Sequence, residues 1–364
     1  MKFIYAMLAT AIGFSLCLQA FAADAGKAYV TNQDGNVSVI DLDTMEATGT
    51  VDIQAVGTRG IGITDDGKFL ITANKDDGTI SVVELATNNV KKIAVGKNPE
   101  FVRVHKGLVF VSTEPSSKGG PPPKPNEPTK AGDVVKNGDT VKEEAKGDDN
   151  EPPIPARIAV VDLKKGKKIR EIVGGPETEG IEFSKDGKQI IITNEADNTI
   201  TVHNYKTGKL IKTFKTTEYG DRPRGIKVSP DGKNYVATLE FGNTFIVLDK
   251  NFNHVKTVVT PNAPYGVSFD RKGERLFVAS SKGQKLTAFD AKTFEKIKEI
   301  DVGKRCWHFS FTPDDKNILL ACGKSDEILV IDAEKLEVTK HIEDKLMPWG
   351  VVTYPKSIGS LDKP

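Results

Sequence analysis

The sequence predicts an all-β chain of seven repeated units, each made of four short strands, on three observations. First, the chain copies itself. AYVTNQDGNVSVID (Ala28–Asp41) returns as LITANKDDGTISVVE from Leu70, IITNEADNTITVHN from Ile191 and LLACGKSDEILVID from Leu319. Second, the glycine of PRGIKV recurs as Gly60, Gly180, Gly225, Gly266 and Gly350, with Phe101 and His308 in the same column. Steps along that column are 41, 79, 45, 41, 42 and 42 residues, and an insertion explains the one long step. Third, the ends complement each other: the first unit starts at Ala28 without an innermost strand, and MPWGVVTYP (Met347–Pro355) is an innermost strand with nothing after it. A period of about 40 residues with several strands per unit marks a β-propeller. Pairing the last strand with the first blade would close the ring and abolish its open edge.

Within a unit the elements follow in order, taking the fifth as the example. An inner strand (GIKVS) meets an Asp-Gly turn, and two apolar strands (NYVAT, NTFIVLD) and an outer strand (HVKTVVT) follow. Asp-Gly between apolar runs is a hairpin signal, because both residues tolerate the positive φ of a tight turn. Outside the repeats, residues 1–22 read as a secretory signal: Lys2, an apolar run to Leu18, then Ala20-Phe21-Ala22 as a small-x-small cleavage site. The mature chain is then exported, most simply to a bacterial periplasm. The propeller is expected over 23–355, with a tail over 356–364. Residues 114–156 form a Pro-, Lys- and Glu-rich insertion between the second and third strands of blade three. It carries too little apolar surface to offset its ordering entropy, so disorder is expected. It is expected either to be a tolerated surface insertion or to act as a tether or lid.

Charge and cysteine content narrow the function. Lysine and arginine total 51 against 50 acids, and no basic stripe is evident, which argues against nucleic acid. No stretch reaches membrane-spanning length, and a monomer is expected. Removal of the signal leaves Cys306 and Cys322, which face each other across one hairpin. An oxidising compartment permits a disulfide there; the alternative is two reduced thiols in a packed strand pair.

A propeller concentrates function where the loops leading into its innermost strands converge. The residue before the glycine column points there, which gives Arg59, Glu100, Glu179, Arg224, Tyr265, Trp307 and Trp349, with His308 beside Trp307. Charged groups on one side and aromatic rings on the other suit a small-molecule pocket. They also suit a salt-bridged plug with aromatic caps. Of the five histidines only His308 maps to the mouth, so a multi-histidine metal centre is not available. Neither a metal nor a cofactor is expected on the main reading.

These pieces resemble a known family. AYVTNQDGNVSVID and IITNEADNTITVHN are similar to the YVTN-repeat β-propellers. GKNPE, PETEGIEFSKDGK, DRPRGIKVSPDGK, GKRCWHFSFTPDDK and MPWGVV, in that order, look like the periplasmic propellers associated with pyrroloquinoline quinone (PQQ)-dependent alcohol catabolism. The resemblance implies an exported, non-enzymatic binding or accessory propeller. Its partner would be a small polar ligand or a periplasmic protein, a quinoprotein dehydrogenase or cytochrome. Two alternatives stay open. One is a lactonase-like hydrolase with Glu179, Arg224 and His308 as base, anchor and acid. The other is a haem or tetrapyrrole carrier with His308 as axial ligand.

Overall fold

The computed structural model describes residues 26–115, 156–343 and 346–363. The expected signal and all but the edges of the expected insertion lie outside them. The described residues form seven four-stranded antiparallel sheets arranged as a propeller. In blade one the strand Pro348–Tyr354 is innermost and pairs with Lys27–Asn32, with Lys27 opposite Tyr354 and Val30 opposite Val351. The ring therefore closes between its terminal strands. In the other blades the innermost strands are Thr58–Ile63, Pro99–His105, Thr178–Phe183, Pro223–Val228, Pro264–Phe269 and Cys306–Phe311. In blade three Leu108–Thr113 pairs with Arg157–Asp162, so the insertion joins the second strand to the third.

The repeat motif has a physical reading. Its threonine ties one blade to the next: the hydroxyls of Thr31, Thr193 and Thr238 donate to the carbonyls of Arg59, Arg224 and Tyr265 at 2.5, 2.6 and 2.7 Å. Its asparagine works within the blade. Asn32, Asn74 and Asn194 donate to Ser38, Ser81 and Thr201 on the third strand at 2.9, 2.9 and 3.1 Å. The glycine column answers to close approach. A Cβ on Gly60 or Gly225 would sit 2.4 or 2.5 Å from the carbonyl oxygen of Glu100 or Tyr265 on the next inner strand. Buried inner and middle strands, such as Gln189–Asn194, supply the apolar faces between blades, while outer strands such as Leu210–Lys215 face solvent.

Cys306 and Cys322 stand opposite each other and are bonded as a disulfide, closing a 16-residue separation. Replacing both by alanine is expected to cost about 3 kcal/mol, the chain-entropy value for a loop of this size. Urea unfolding of the oxidised chain and the variant measures it, and equal midpoints would show that the bridge adds nothing.

The tail is part of the fold. Leu361 and Asp362 are buried, the Phe311 amide donates to Ile358 O at 2.9 Å, and Ser360 N donates to Phe309 O at 2.8 Å. Arg103 donates to Leu361 O and, at 3.0 Å, to Glu182, while Lys227 reaches Asp362 O at 3.3 Å. The tail thus seals the channel end opposite the mouth.

Candidate functional site at the channel mouth

One backbone device repeats seven times and aims the mouth side chains. Two residues before each, the chain is left-handed: Gly57, Asn98, Glu177, Arg222, Ala263, Arg305 and Met347 have φ between 46° and 67°. Glycine and asparagine accept this readily, whereas the others pay a local cost of about 1–2 kcal/mol each. The carbonyl of each left-handed residue accepts an amide from the residue that follows the second strand: Gln33, Lys75, Glu114, Glu195, Glu240, Ser281 and Gly323. Where the inner strand starts, pairing skips a residue, as from Thr58↔Asn74 to Ile61↔Thr72. The mouth residue thus sits on a β-bulge, a device that re-aims side chains beside functional sites.

The result is a cavity of about 260 Å³. Arg59, Glu100, Glu179, Arg224, Tyr265, Trp307 and Trp349 all line it, as expected from the sequence. His308 does not. It is 2% exposed beneath the floor, with its ring centroid 4.3 Å from that of Trp349 and 6.1 Å from Phe101 across the channel. Its Nδ1 lies 3.1 Å from Ser360 Oγ, and its Nε2 has no partner. Burial, with the charges of Lys227 and Arg224 and against that of Glu179, lowers its pKa to about 3. A histidine held neutral and covered cannot act as the acid, which corrects that assignment.

A second ring escaped the sequence reading. Glu114, Glu195 and Glu240, from the column after the second strand, line the cavity with Arg222, Lys75 and Gln33. Glu114 was counted with the insertion, but it belongs to the mouth and is 6% exposed. The signal was available: STE, TNE and TLE put an acid in the same column of blades three, four and five.

These carboxylates meet arginines in one network. Arg224 donates to Glu179 and Glu195, and through Nε to Glu240 at 2.7 Å; Arg222 pairs with Glu195 and Arg59 with Glu100. Tyr265 donates to Glu179 at 2.7 Å, and its ring centroid lies 4.7 Å from the Arg224 guanidinium. Burial works against the charge on Glu179, but Arg224, Tyr265 and Arg59 hold its pKa below the usual carboxylate value. Glu114 is the opposite case: burial, then the charges of Glu100 and Glu179, push it well up. Two carboxyls of one cavity are thereby driven apart.

Comparisons with known proteins agree with the fold. Residues 155–306, under half of the chain, match the family model described as the cytochrome D1 heme domain. No curated protein matches the chain. Among solved structures, it is similar to a functionally unknown protein from Desulfotomaculum acetoxidans, at 15% identity and TM-score 0.70, covering 90% of this chain and 98% of that one. A candidate 6-phosphogluconolactonase from Bacteroides uniformis gives 15% identity and TM-score 0.67, over 90% and 99%. Dihydro-heme d1 dehydrogenase NirN in complex with DHE gives 16% and 0.62, over 91% and 76%. At these identities the likeness is one of fold. Among the described residues no helix is long and apolar enough to cross a membrane.

Proposed function

We propose that the mouth binds a small, oxygen-rich ligand of lactone or sugar-acid size, and that the protein is a lactonase-like hydrolase. The observation that carries this reading is the cavity itself. It holds about 260 Å³, just below the usual range for ligand pockets, and is lined by arginines fixed by carboxylates and by Trp307, Trp349 and Tyr265. Arg59 and Arg224 can hold a ligand carbonyl or carboxylate, and the indoles supply a flat apolar surface. The lactonase-like neighbour supports the chemical class. The same proposal puts the protein in the periplasm, beside quinoprotein alcohol oxidation. Its support is the signal-like residues 1–22 and the resemblance to PQQ-associated propellers.

A tetrapyrrole is the second reading, favoured by the heme-domain match over residues 155–306. His308 does not fit an axial role, because it lies under Trp349 and outside the cavity. That reading is therefore confined to binding without this ligand.

The chain has two tryptophans, and both line the mouth. Intrinsic fluorescence therefore reports ligand entry directly. A lactone panel is expected to yield one compound that quenches it and is turned over. Arg59→Gln removes a charge-assisted contact worth about 1.5–3 kcal/mol and should weaken that binding at least tenfold. An inert panel, with a Soret band on titrating a haem, would replace this reading with the second.

A further inference from the structure

The near-neutral total charge hides a division around the rim of the ring. Each blade ends in a turn and an outer strand, the part farthest from the channel. Over 162–173 and 204–215, the rims of blades three and four, nine lysines and arginines stand against two acids. Over 332–343 and 41–52, the rims of blades seven and one on the opposite side, eight acids stand against two lysines. Both acids of the basic side are already taken, Asp162 by Lys165 at 3.5 Å and Glu171 by Lys168 at 2.5 Å. Lys167, Lys206, Lys209 and Lys215 are exposed and meet no acid among the described residues.

Exposed aliphatic surface gathers on the same side. Ile169, Val173, Leu210 and Ile211 are between 39% and 54% exposed, and Val255 and Val259 continue the band onto blade five. The outer strands of blades seven and one expose no large apolar side chain. A surface groove of about 610 Å³ between the two basic strands is lined by Val173 and Leu210 together with Lys209 and Thr213. Edge protection does not account for this pattern. Charge of either sign blunts an open strand edge against pairing, and the acidic rims manage it without exposed aliphatics.

The composition also says what the patch fits. Eight of the nine basic residues are lysine, and the guanidinium of the one arginine, Arg170, is spent on Tyr205 O at 2.5 Å. Protein interfaces favour arginine and aromatic rings and are depleted in lysine. Single-stranded nucleic acid sites stack bases on aromatic rings. A plane of lipid headgroups instead takes lysine as a point charge and lets aliphatic side chains dip to the acyl boundary.

We propose that the rim of blades three and four is a docking surface for an anionic lipid bilayer, with its lysines at the headgroup phosphates and Ile169, Leu210 and Ile211 beneath them. The surface goes beyond the ligand reading and stands without it. Contact along the rim leaves the channel mouth open to solution.

The test floats the full chain with vesicles of phosphatidylglycerol and phosphatidylcholine in equal parts, and with vesicles of phosphatidylcholine alone. Binding is expected to the first only, and to weaken as added salt screens the charges. Each lysine near such a surface is worth about fivefold in partitioning, so Lys167→Gln, Lys209→Gln and Lys215→Gln together should weaken binding by about a hundredfold. Lys272→Gln, Lys316→Gln and Lys335→Gln remove the same charge from exposed positions elsewhere and should leave it unchanged. Leu210→Ser with Ile211→Ser should cost about tenfold through lost apolar contact. No flotation with the anionic vesicles would overturn the surface, as would binding that the patch substitutions leave unchanged or that the distant ones weaken equally. Binding carried by residues 1–22 would survive the patch substitutions and count against it. A salt-sensitive dimer, or a tighter complex with an oligonucleotide, that the patch substitutions abolish would assign the rim to that occupant instead. Lactone turnover is scored separately, so either idea can fail without the other.

Discussion

A chain ending at Glu343 is expected to lose cooperative folding and aggregate. Without Pro348–Tyr354, blade one has no inner strand, and the backbone of Lys27–Asn32 becomes an open edge. Trp349, Val351 and Val352 are buried in that strand. At about 1.5–3 kcal/mol for each large apolar side chain, their loss approaches the whole stability of a typical domain. The tail leaves with the strand, so a second chain ending at Tyr354 separates the two contributions. That chain should stay folded but melt earlier, with Arg103 and Lys227 uncovered. Size-exclusion chromatography and thermal melts read both. A monomeric chain ending at Glu343 with unchanged melting would mean that terminal pairing does not hold the ring.

Arg224→Met should be the most damaging single substitution in the mouth. The guanidinium is the shared partner of Glu179, Glu195 and Glu240, and all three are buried. Breaking a buried pair from one side typically costs about 3–5 kcal/mol, because it leaves uncompensated charge behind. The loss should depend on pH, with a definite sign. Glu179 titrates below its ordinary value in the folded protein. Its pairing therefore contributes stability above the unfolded pKa, and that contribution fades as pH falls through the folded one. Without Arg224 the orphaned carboxyls titrate higher and bind protons in the folded state. The variant's deficit is then largest near pH 8 and shrinks toward pH 5. Urea unfolding of both chains at the two pH values measures it. A deficit of equal size at both would assign Arg224 a packing role instead.

These two results divide along what the chain makes legible. Closure was readable because an orphan strand at one end and a missing strand at the other are facts of the repeat register. Arg224 could be placed at the mouth from the same register, but its partners could not. Glu195 and Glu240 come from the ends of second strands, and they face Arg224 because each residue after a second strand bonds the carbonyl of the left-handed residue before an inner strand. A column count finds residues at equivalent positions; it does not report which two columns point at one cavity.

Periodicity by itself determined the seven blades, the terminal closure and the seven residues of the inner ring, since each follows from counting positions modulo one repeat. It also put Cys306 opposite Cys322. Tertiary structure decided the rest. His308 shares the glycine column, and in that column a side chain points under the floor, so burial removed it from the site. Glu114 borders a segment of linker composition, yet its amide bonds to Lys97 and Asn98 carry it into the mouth. The tail shares no repeat and gave no signal, because its partners Arg103, Lys227 and Phe309 lie on three different inner strands that meet only around the closed ring.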